Sequence, residues 1–91
     1  MKVKPSHILV KHEYEAKDIH RLLENKKKIE DLARKFSLCR SGHNGGFLGE
    51  INAQNLDSDF LDAFNSLSPG QISKPVRTSY GWHIIKKGDN V

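Results

Sequence analysis

The chain of 91 residues has a single cysteine, Cys39, and no long apolar segment. One cysteine excludes an intramolecular disulfide, so the domain must depend on core packing alone or on a metal. Its longest apolar runs are only a few residues, too short for a membrane-spanning helix or for the apolar part of a secretory leader. These absences predict a cytoplasmic protein that does not interact with membranes.

Basic residues are absent from the middle of the chain. Residues 41–72 carry four acids and no Lys or Arg, whereas residues 1–40 carry eleven bases and six acids, within a net charge of +4. A nucleic-acid module typically shows a basic stripe interleaved with aromatic residues. Here the densest basic run, residues 26–28, stands at the end of a predicted helix, where cations complement the helix dipole. A nucleic-acid partner is therefore not favoured.

The glycine-rich loop at residues 41–46 also lacks a phosphate-binding pattern. It contains no G-x-x-x-x-G-K-[ST] sequence, and no helix signal follows it. We expect its glycines to let the backbone pass close to a neighbour or adopt positive φ before a short strand over residues 47–51. No nucleotide cofactor is implied.

Hydrophobic periodicity predicts the order β-α-α-β-α-β-β. Alternation and apolar runs predict strands over residues 3–11, 47–51, 72–76 and 80–87. Three- and four-residue spacing predicts helices over residues 13–26 and 29–37, and a third that begins at Asp57 or Ser58 and ends before residues 68–70. The chain is therefore expected to be one α+β domain, residues 1–91, with helices around a small, mostly antiparallel four-stranded sheet.

Two histidines stand on predicted strands among small or apolar neighbours. In the first strand, Pro5, His7 and Leu9 share a face, and His83 lies between Gly81 and Ile85 in the last strand. A single histidine in such a setting is more often structural than catalytic. If the first and last strands pair, however, the two rings can meet.

These elements, taken in order, resemble the parvulin family of peptidyl-prolyl cis/trans isomerases. The resemblance runs from about residue 3 to residue 88, and its motifs are SHILV at 6–10, GGFLG at 45–49, LSPGQIS at 67–73 and PVRTSYGWHIIK at 75–86, with further matches at residues 32–41. It implies the parvulin-like (FKBP-like) fold of a small, stand-alone member. It also implies isomerisation of Xaa-Pro bonds in peptides and folding proteins, with no metal or cofactor.

The resemblance assigns roles to eight side chains. The positions expected to be catalytic are His7, Cys39, Thr78 and His83, and the positions expected to bind substrate are Leu48, Leu56, Phe60 and Tyr80. Two residues depart from the family pattern. Leu56 replaces the usual methionine and keeps an apolar wall, and Phe47 replaces the usual acidic residue and is expected at the pocket entrance.

The expected mechanism is non-covalent. An apolar pocket favours the twisted amide, which is less charge-separated than the planar one, while His7 and His83 hydrogen-bond to each other and Thr78 orients them. Cys39 is expected to face the peptide carbonyl. Because some family members have aspartate there, an electrostatic role is favoured over nucleophilic attack.

Other features bear on the substrate. The short connection after the first strand contains Glu13 and Glu15 rather than a basic cluster, so a phosphorylated residue before proline is not expected to be required. Lys11 or Arg77 could still favour an acidic residue at that position.

Three alternatives remain open from the residues. Cys39 and the histidines could serve a cysteine hydrolase, although no protease signature accompanies them. Cys39, His7, His43 and His83 could bind zinc, although no C-x₂-C pair is present. The domain could also recognise proline as a chaperone-like module with little catalysis. His12, His20 and His43 are otherwise expected on the surface or in loops, and a monomer is the expected state.

Overall fold

The computed structural model describes residues 2–88, which form an α+β fold. Its elements are β1 (Lys2–Val3), β2 (Pro5–Val10), α1 (Glu13–Glu24), α2 (Ile29–Phe36), β3 (Ile51–Asn52), α3 (Ser58–Asn65), β4 (Val76–Thr78) and β5 (Gly81–Lys87), with short 3₁₀ turns at Arg40–Asn44 and Ala53–Asn55. None of the helices within residues 2–88 combines the length and the apolar character that crossing a membrane requires.

The pairing of the first and last long strands organises the fold. β5 is the central strand of a three-stranded antiparallel sheet, between β2 and β4. β2 pairs with β5 along its whole length, from Pro5 opposite Lys87 to Val10 opposite Trp82. This pairing joins opposite ends of the sequence. It meets the condition under which the rings of His7 and His83 can come together.

Each face of this sheet carries its own core. Alternation sends Ile8, Val10 and Ile84 to one face, where they pack with apolar residues of α1 and α2. Ile85 points to the other face and packs with Phe60 and Phe64 of α3. The side chains of the last two are 3% and 1% exposed. The histidines share this second face, so α3 covers their side of the sheet.

Local sequence explains where α1 and α3 begin. The Glu15 side chain accepts a hydrogen bond from the His12 N–H at 3.0 Å, just before α1. At α3, Asp57 Oδ1 accepts from the N–H groups of Asp59 at 2.9 Å and Phe60 at 3.3 Å. Asp57 is thus the residue that caps α3, one of the two predicted.

The expected sheet of four strands is wrong in its strand count and boundaries. The structure has a three-stranded sheet and a separate pair, β1 with β3. The first predicted strand is interrupted at Lys4, and Pro5, which lacks an N–H, begins β2. The α+β class and the mostly antiparallel pairing are confirmed.

Two predicted strands lie at shifted positions. Residues 47–50 contribute only an isolated bridge between Phe47 and Ser6, and regular pairing begins with β3 at Ile51, because Gly49 at φ +78° turns the backbone away. Residues 72–75 likewise contribute a single bridge at Ile72, and regular pairing begins with β4 at Val76, after Pro75.

The Gly-rich loop brings the backbone close to β2, as expected. The His7 N–H donates to the Gly46 carbonyl at 2.9 Å. Gly46 has φ +86°, and a Cβ there would lie 2.5 Å from the His7 carbonyl oxygen. Only glycine fits both constraints. The loop therefore holds the strand that carries His7.

Candidate active site

The site begins with the two strand histidines. His83 stands opposite Leu9 in the β2–β5 register, so His7 is its diagonal neighbour on the same face. Their Nδ1 atoms are 2.9 Å apart, and the rings stack at a centroid distance of 5.1 Å. Both side chains are at least 95% buried. The predicted contact between the two histidines is present.

Thr78 extends this contact to a third side chain. It ends β4 next to the tight turn that leads into β5, and its Oγ1 lies 2.7 Å from His83 Nε2. The Tyr80 N–H donates to the same oxygen at 3.2 Å. Thr78 is 7% exposed. The structure therefore puts Thr78 behind His83, where it can orient the ring.

Hydrogen bonding limits the proton positions in this network. Two Nδ1 atoms at 2.9 Å share one hydrogen. If His83 donates it, the Thr78 hydroxyl can donate to His83 Nε2, and His7 carries its hydrogen on Nε2. If His7 donates it, His83 Nε2 donates to Thr78. In both arrangements His7 Nε2, which is buried, has no partner among residues 2–88.

Both histidines are neutral at neutral pH. Burial, with a smaller contribution from the nearby His83, lowers the pKa of His7 from 6.5 to about 4. Burial also lowers the pKa of His83, while the carboxylate of Asp57 partly opposes this change. The pair therefore acts as an uncharged polar network at the base of the site.

Phe60 connects α3 to the histidine pair. Its ring meets the His7 ring at a centroid distance of 5.5 Å and an angle of 76°, and the His83 ring at 5.3 Å and 86°. Such edge-to-face contacts are favourable for aromatic rings. The cap at Asp57 sets where α3 starts and hence where Phe60 stands.

A pocket of about 240 Å³ opens above these rings. Its wall is mostly apolar, and it is lined by His7, Leu9, Cys39, Leu48, Ile51, Asn55, Leu56, Asp57, Phe60, Tyr80 and His83. The volume is below the roughly 300–1,000 Å³ of typical small-molecule sites. It suits a single compact side chain better than a large ligand.

Seven of the eight predicted site residues line this pocket, and Thr78 lies behind it. The structure adds four lining residues that sequence reasoning did not assign to the site: Leu9, Ile51, Asn55 and Asp57. Asp57 had been assigned as a helix cap, and Leu9 and Ile51 as strand residues. Phe47, expected at the entrance, is not among the lining residues and is 42% exposed.

Cys39 is half-buried at the pocket wall. Ser37 Oγ accepts from the N–H of Cys39 at 3.3 Å and from the N–H of Leu9 at 3.1 Å, which ties this segment to β2. Neither His7 nor His83, nor any other histidine within residues 2–88, forms a hydrogen bond with the Cys39 thiol. The arrangement lacks the nucleophile-to-base contact of a cysteine hydrolase.

The zinc alternative receives no support from residues 2–88. The described residues contain no cluster of three or more His, Cys, Asp or Glu side chains that could hold a metal ion, so Cys39, His7, His43 and His83 do not form one. His12 and His43 are exposed, and His20 is half-buried on α1. A larger depression of about 550 Å³ near the start of α2 is lined mainly by charged residues, which suits an apolar ring poorly.

The family follows from a comparison of the whole chain. The family model described as "Rotamase: PPIC-type PPIASE domain" matches residues 7–89. The chain belongs to this family. The PPIC-type match covers every residue of the pocket and the hydrogen-bonded network behind it, and it confirms both the parvulin resemblance and the assignment as a peptidyl-prolyl isomerase domain.

Similar proteins agree with this membership. The foldase protein PrsA of Bacillus subtilis is 40% identical over 87 residues, which are 94% of this chain and 30% of that protein. The crystal structure of the peptidylprolyl isomerase PrsA from Bacillus anthracis superposes with a TM-score of 0.93 at 40% identity, over 96% of this chain and 41% of that one. This PPIC-type chain thus spans between a quarter and a third of the length of the curated relatives it matches.

A shorter relative matches over nearly its full length. The parvulin NmPin of Nitrosopumilus maritimus has a solution structure with a TM-score of 0.83 and 35% identity, over 96% of this chain and 95% of that one. The two chains therefore share the parvulin fold over nearly the whole length that is compared.

Proposed function

We propose that this PPIC-type domain catalyses cis/trans rotation of Xaa-Pro bonds by holding the proline ring in the pocket of Leu48, Leu56 and Phe60. The observation that carries the proposal is an apolar pocket of single-side-chain size built directly on an uncharged histidine network. Tyr80, 74% exposed, stands at the rim, where a bound peptide can cover it.

The physical basis is the loss of amide resonance during rotation. The barrier is about 18–20 kcal/mol because the planar, charge-separated amide must twist. A dry apolar wall stabilises the less polar twisted state relative to the planar one. Lowering the barrier by roughly 5–7 kcal/mol accelerates rotation about 10⁴–10⁵-fold. Neither a cofactor nor a covalent intermediate is needed for this step.

The proposed substrates are proline-containing peptides and folding proteins, without a phosphate requirement. Only Lys11 and His12 connect β2 to α1, so no long basic loop stands at this end of the sheet. Lys11 and Arg77 are exposed and do not line the pocket. Relatives described as foldases support folding chains as clients. The cytoplasmic location, the monomeric state and the single-domain organisation stay predictions.

Exchange NMR on a short Xaa-Pro peptide tests the proposal without a coupled protease. At a catalytic concentration of the protein we expect exchange between cis and trans resonances to be far faster than the uncatalysed tens to hundreds of seconds. Peptide binding with no acceleration would support a proline-recognising module instead and would overturn the isomerase proposal.

Replacing Cys39 by serine or aspartate tests the non-covalent mechanism. Because no histidine within residues 2–88 hydrogen-bonds the thiol, we expect Cys39→Ser and Cys39→Asp to retain kcat/KM within about tenfold of the wild type, an effect of about 1.4 kcal/mol or less. The same exchange measurement checks it. A fall of both folded variants to the uncatalysed rate would show that the thiol attacks the peptide carbonyl.

A further inference from the structure

The proline pocket carries a single carboxylate and no basic side chain. Asp57 is the only acidic residue among those that line it, and neither Lys nor Arg is among them. Because burial lowers the pKa values of His7 and His83, neither ring contributes a positive charge at neutral pH. The pocket is therefore negative in a chain whose formal net charge is +4.

The cap of α3 holds this carboxylate in place. Both hydrogen bonds of Asp57, from the Asp59 and Phe60 N–H groups, use Oδ1. The second oxygen, Oδ2, has no hydrogen-bond partner within residues 2–88. The cap bonds fix the position of the Asp57 side chain, and because Asp57 is only half-buried, it keeps some contact with solvent. The cap bonds leave one acceptor oxygen free for a ligand.

The charge of Asp57 acts inside the site rather than only in bulk solvent. Its carboxylate is close enough to His83 to raise the pKa of that ring against the effect of burial. Interactions in a partly desolvated wall are less screened by salt than those of exposed charges. The exposed cations of Arg40 and Arg77, outside the lining, are screened by water.

We propose that Asp57 is a specificity-determining residue, which makes the domain prefer Xaa-Pro segments with Lys or Arg within one or two residues of the proline. The same carboxylate disfavours Asp, Glu or a phosphorylated residue there, because like charges facing each other are destabilising. This inference rests on the proposed isomerase function and names its substrate class.

The test uses two sets of three peptides. In the first set the residue before proline is Lys, Ala or Glu, and in the second set the same three residues stand after proline. The readout is the ratio of kcat/KM for Lys to that for Glu by exchange NMR. We expect a ratio of about 5–10 at low salt in at least one set, falling as salt is added. A ratio near one, or a preference for Glu, in both sets overturns the proposal.

Asp57→Asn and Asp59→Asn form a matched pair of variants. Asparagine caps helices about as well as aspartate, so Asp57→Asn removes the charge and keeps the start of α3. Asp59 carries an exposed carboxylate in the first turn of α3 and does not line the pocket. We expect the Lys-to-Glu ratio to fall below about twofold in Asp57→Asn and to stay at the wild-type value in Asp59→Asn.

The outcomes separate this inference from the proposed function. An equal fall of the ratio in both variants would assign the preference to the net charge of α3 and overturn the role of Asp57. No acceleration of any peptide by the folded wild type would overturn the isomerase function itself. Acceleration of all peptides with no charge preference keeps the function and removes only the specificity inference.

Discussion

Replacing Phe60 by alanine is expected to lower kcat/KM for an Xaa-Pro peptide by between about tenfold and 100-fold. Phe60 contacts both histidine rings and lines the pocket, so under the proposed mechanism its loss removes the wall against which the proline ring packs. Burial of an apolar side chain of this size contributes about 1.5–3 kcal/mol, and each 1.4 kcal/mol corresponds to a factor of ten. Exchange NMR gives the rate.

Phe64→Ala is the control, because Phe60 also belongs to the core. Phe64 lies one turn further along α3, is 1% exposed in the same apolar cluster and does not line the pocket. Each alanine variant should lose about 3–5 kcal/mol of unfolding free energy, measured by urea denaturation. The rate per folded molecule should fall only for Phe60→Ala.

If an alanine variant is unfolded, the leucine variants at both positions make the same comparison. Equal loss of activity per folded molecule would contradict the assigned role.

Acidification is expected to destabilise the fold through the buried histidines. The folded pKa of His7 is about 4, below the unfolded value of 6.5, so the unfolded chain binds the proton first as the pH falls. His7 alone should therefore lower the free energy of unfolding by about 2–3 kcal/mol between pH 7.5 and 4.5. His83 acts in the same direction.

Urea denaturation at pH 7.5 and 4.5 measures this effect. Carboxylates also make the free energy of unfolding depend on pH, and comparing variants with the same carboxylates separates their contribution from that of His7. His7→Leu removes the buried ionisable group and should flatten the dependence, whereas His12→Gln changes an exposed histidine and should retain it. NMR titration of the wild-type imidazoles provides a measurement that needs no variant. A His7 pKa near 6.5 in the folded protein, or an undiminished pH dependence in His7→Leu, would contradict the account.

The histidine pair could be predicted from sequence because it depends on simple rules. Strand alternation puts His7 and His83 each on one face, and antiparallel pairing of the first and last strands then makes the two faces coincide. The parvulin resemblance supplied the strand pairing that periodicity alone left conditional. Helix boundaries were also close to prediction because α1 and α2 have regular apolar spacing and α3 has a clear cap.

The strand boundaries around the site were less predictable. Apolar runs at residues 47–51 and 72–76 indicate strands, but ladder pairing also needs compatible backbone angles and free N–H groups. Gly49 at φ +78° and Pro75 each interrupt that pairing, so isolated bridges form at Phe47 and Ile72, and regular pairing begins only at Ile51 and Val76. The count of paired strands depends on such details rather than on hydrophobic pattern.

The four additional pocket residues were missed for a different reason. Asp57 already had a sufficient local explanation as the cap of α3, and Leu9 and Ile51 had one as strand residues. Their second role arises only when the Asn55–Asp57 segment folds over the sheet face that carries the histidines. Local sequence signals do not report such long-range placement.

Binding of a proline peptide followed through leucine and isoleucine methyl resonances tests the central claim most directly. The account predicts that an Xaa-Pro peptide shifts the methyl signals of Leu48 and Leu56, while those of Ile19 and Ile29, in the core on the opposite face of the sheet, stay unchanged. The matched peptide with alanine in place of proline should shift none of them comparably. Perturbations centred away from Leu48 and Leu56, or equal for both peptides, would contradict the claim that this pocket binds proline.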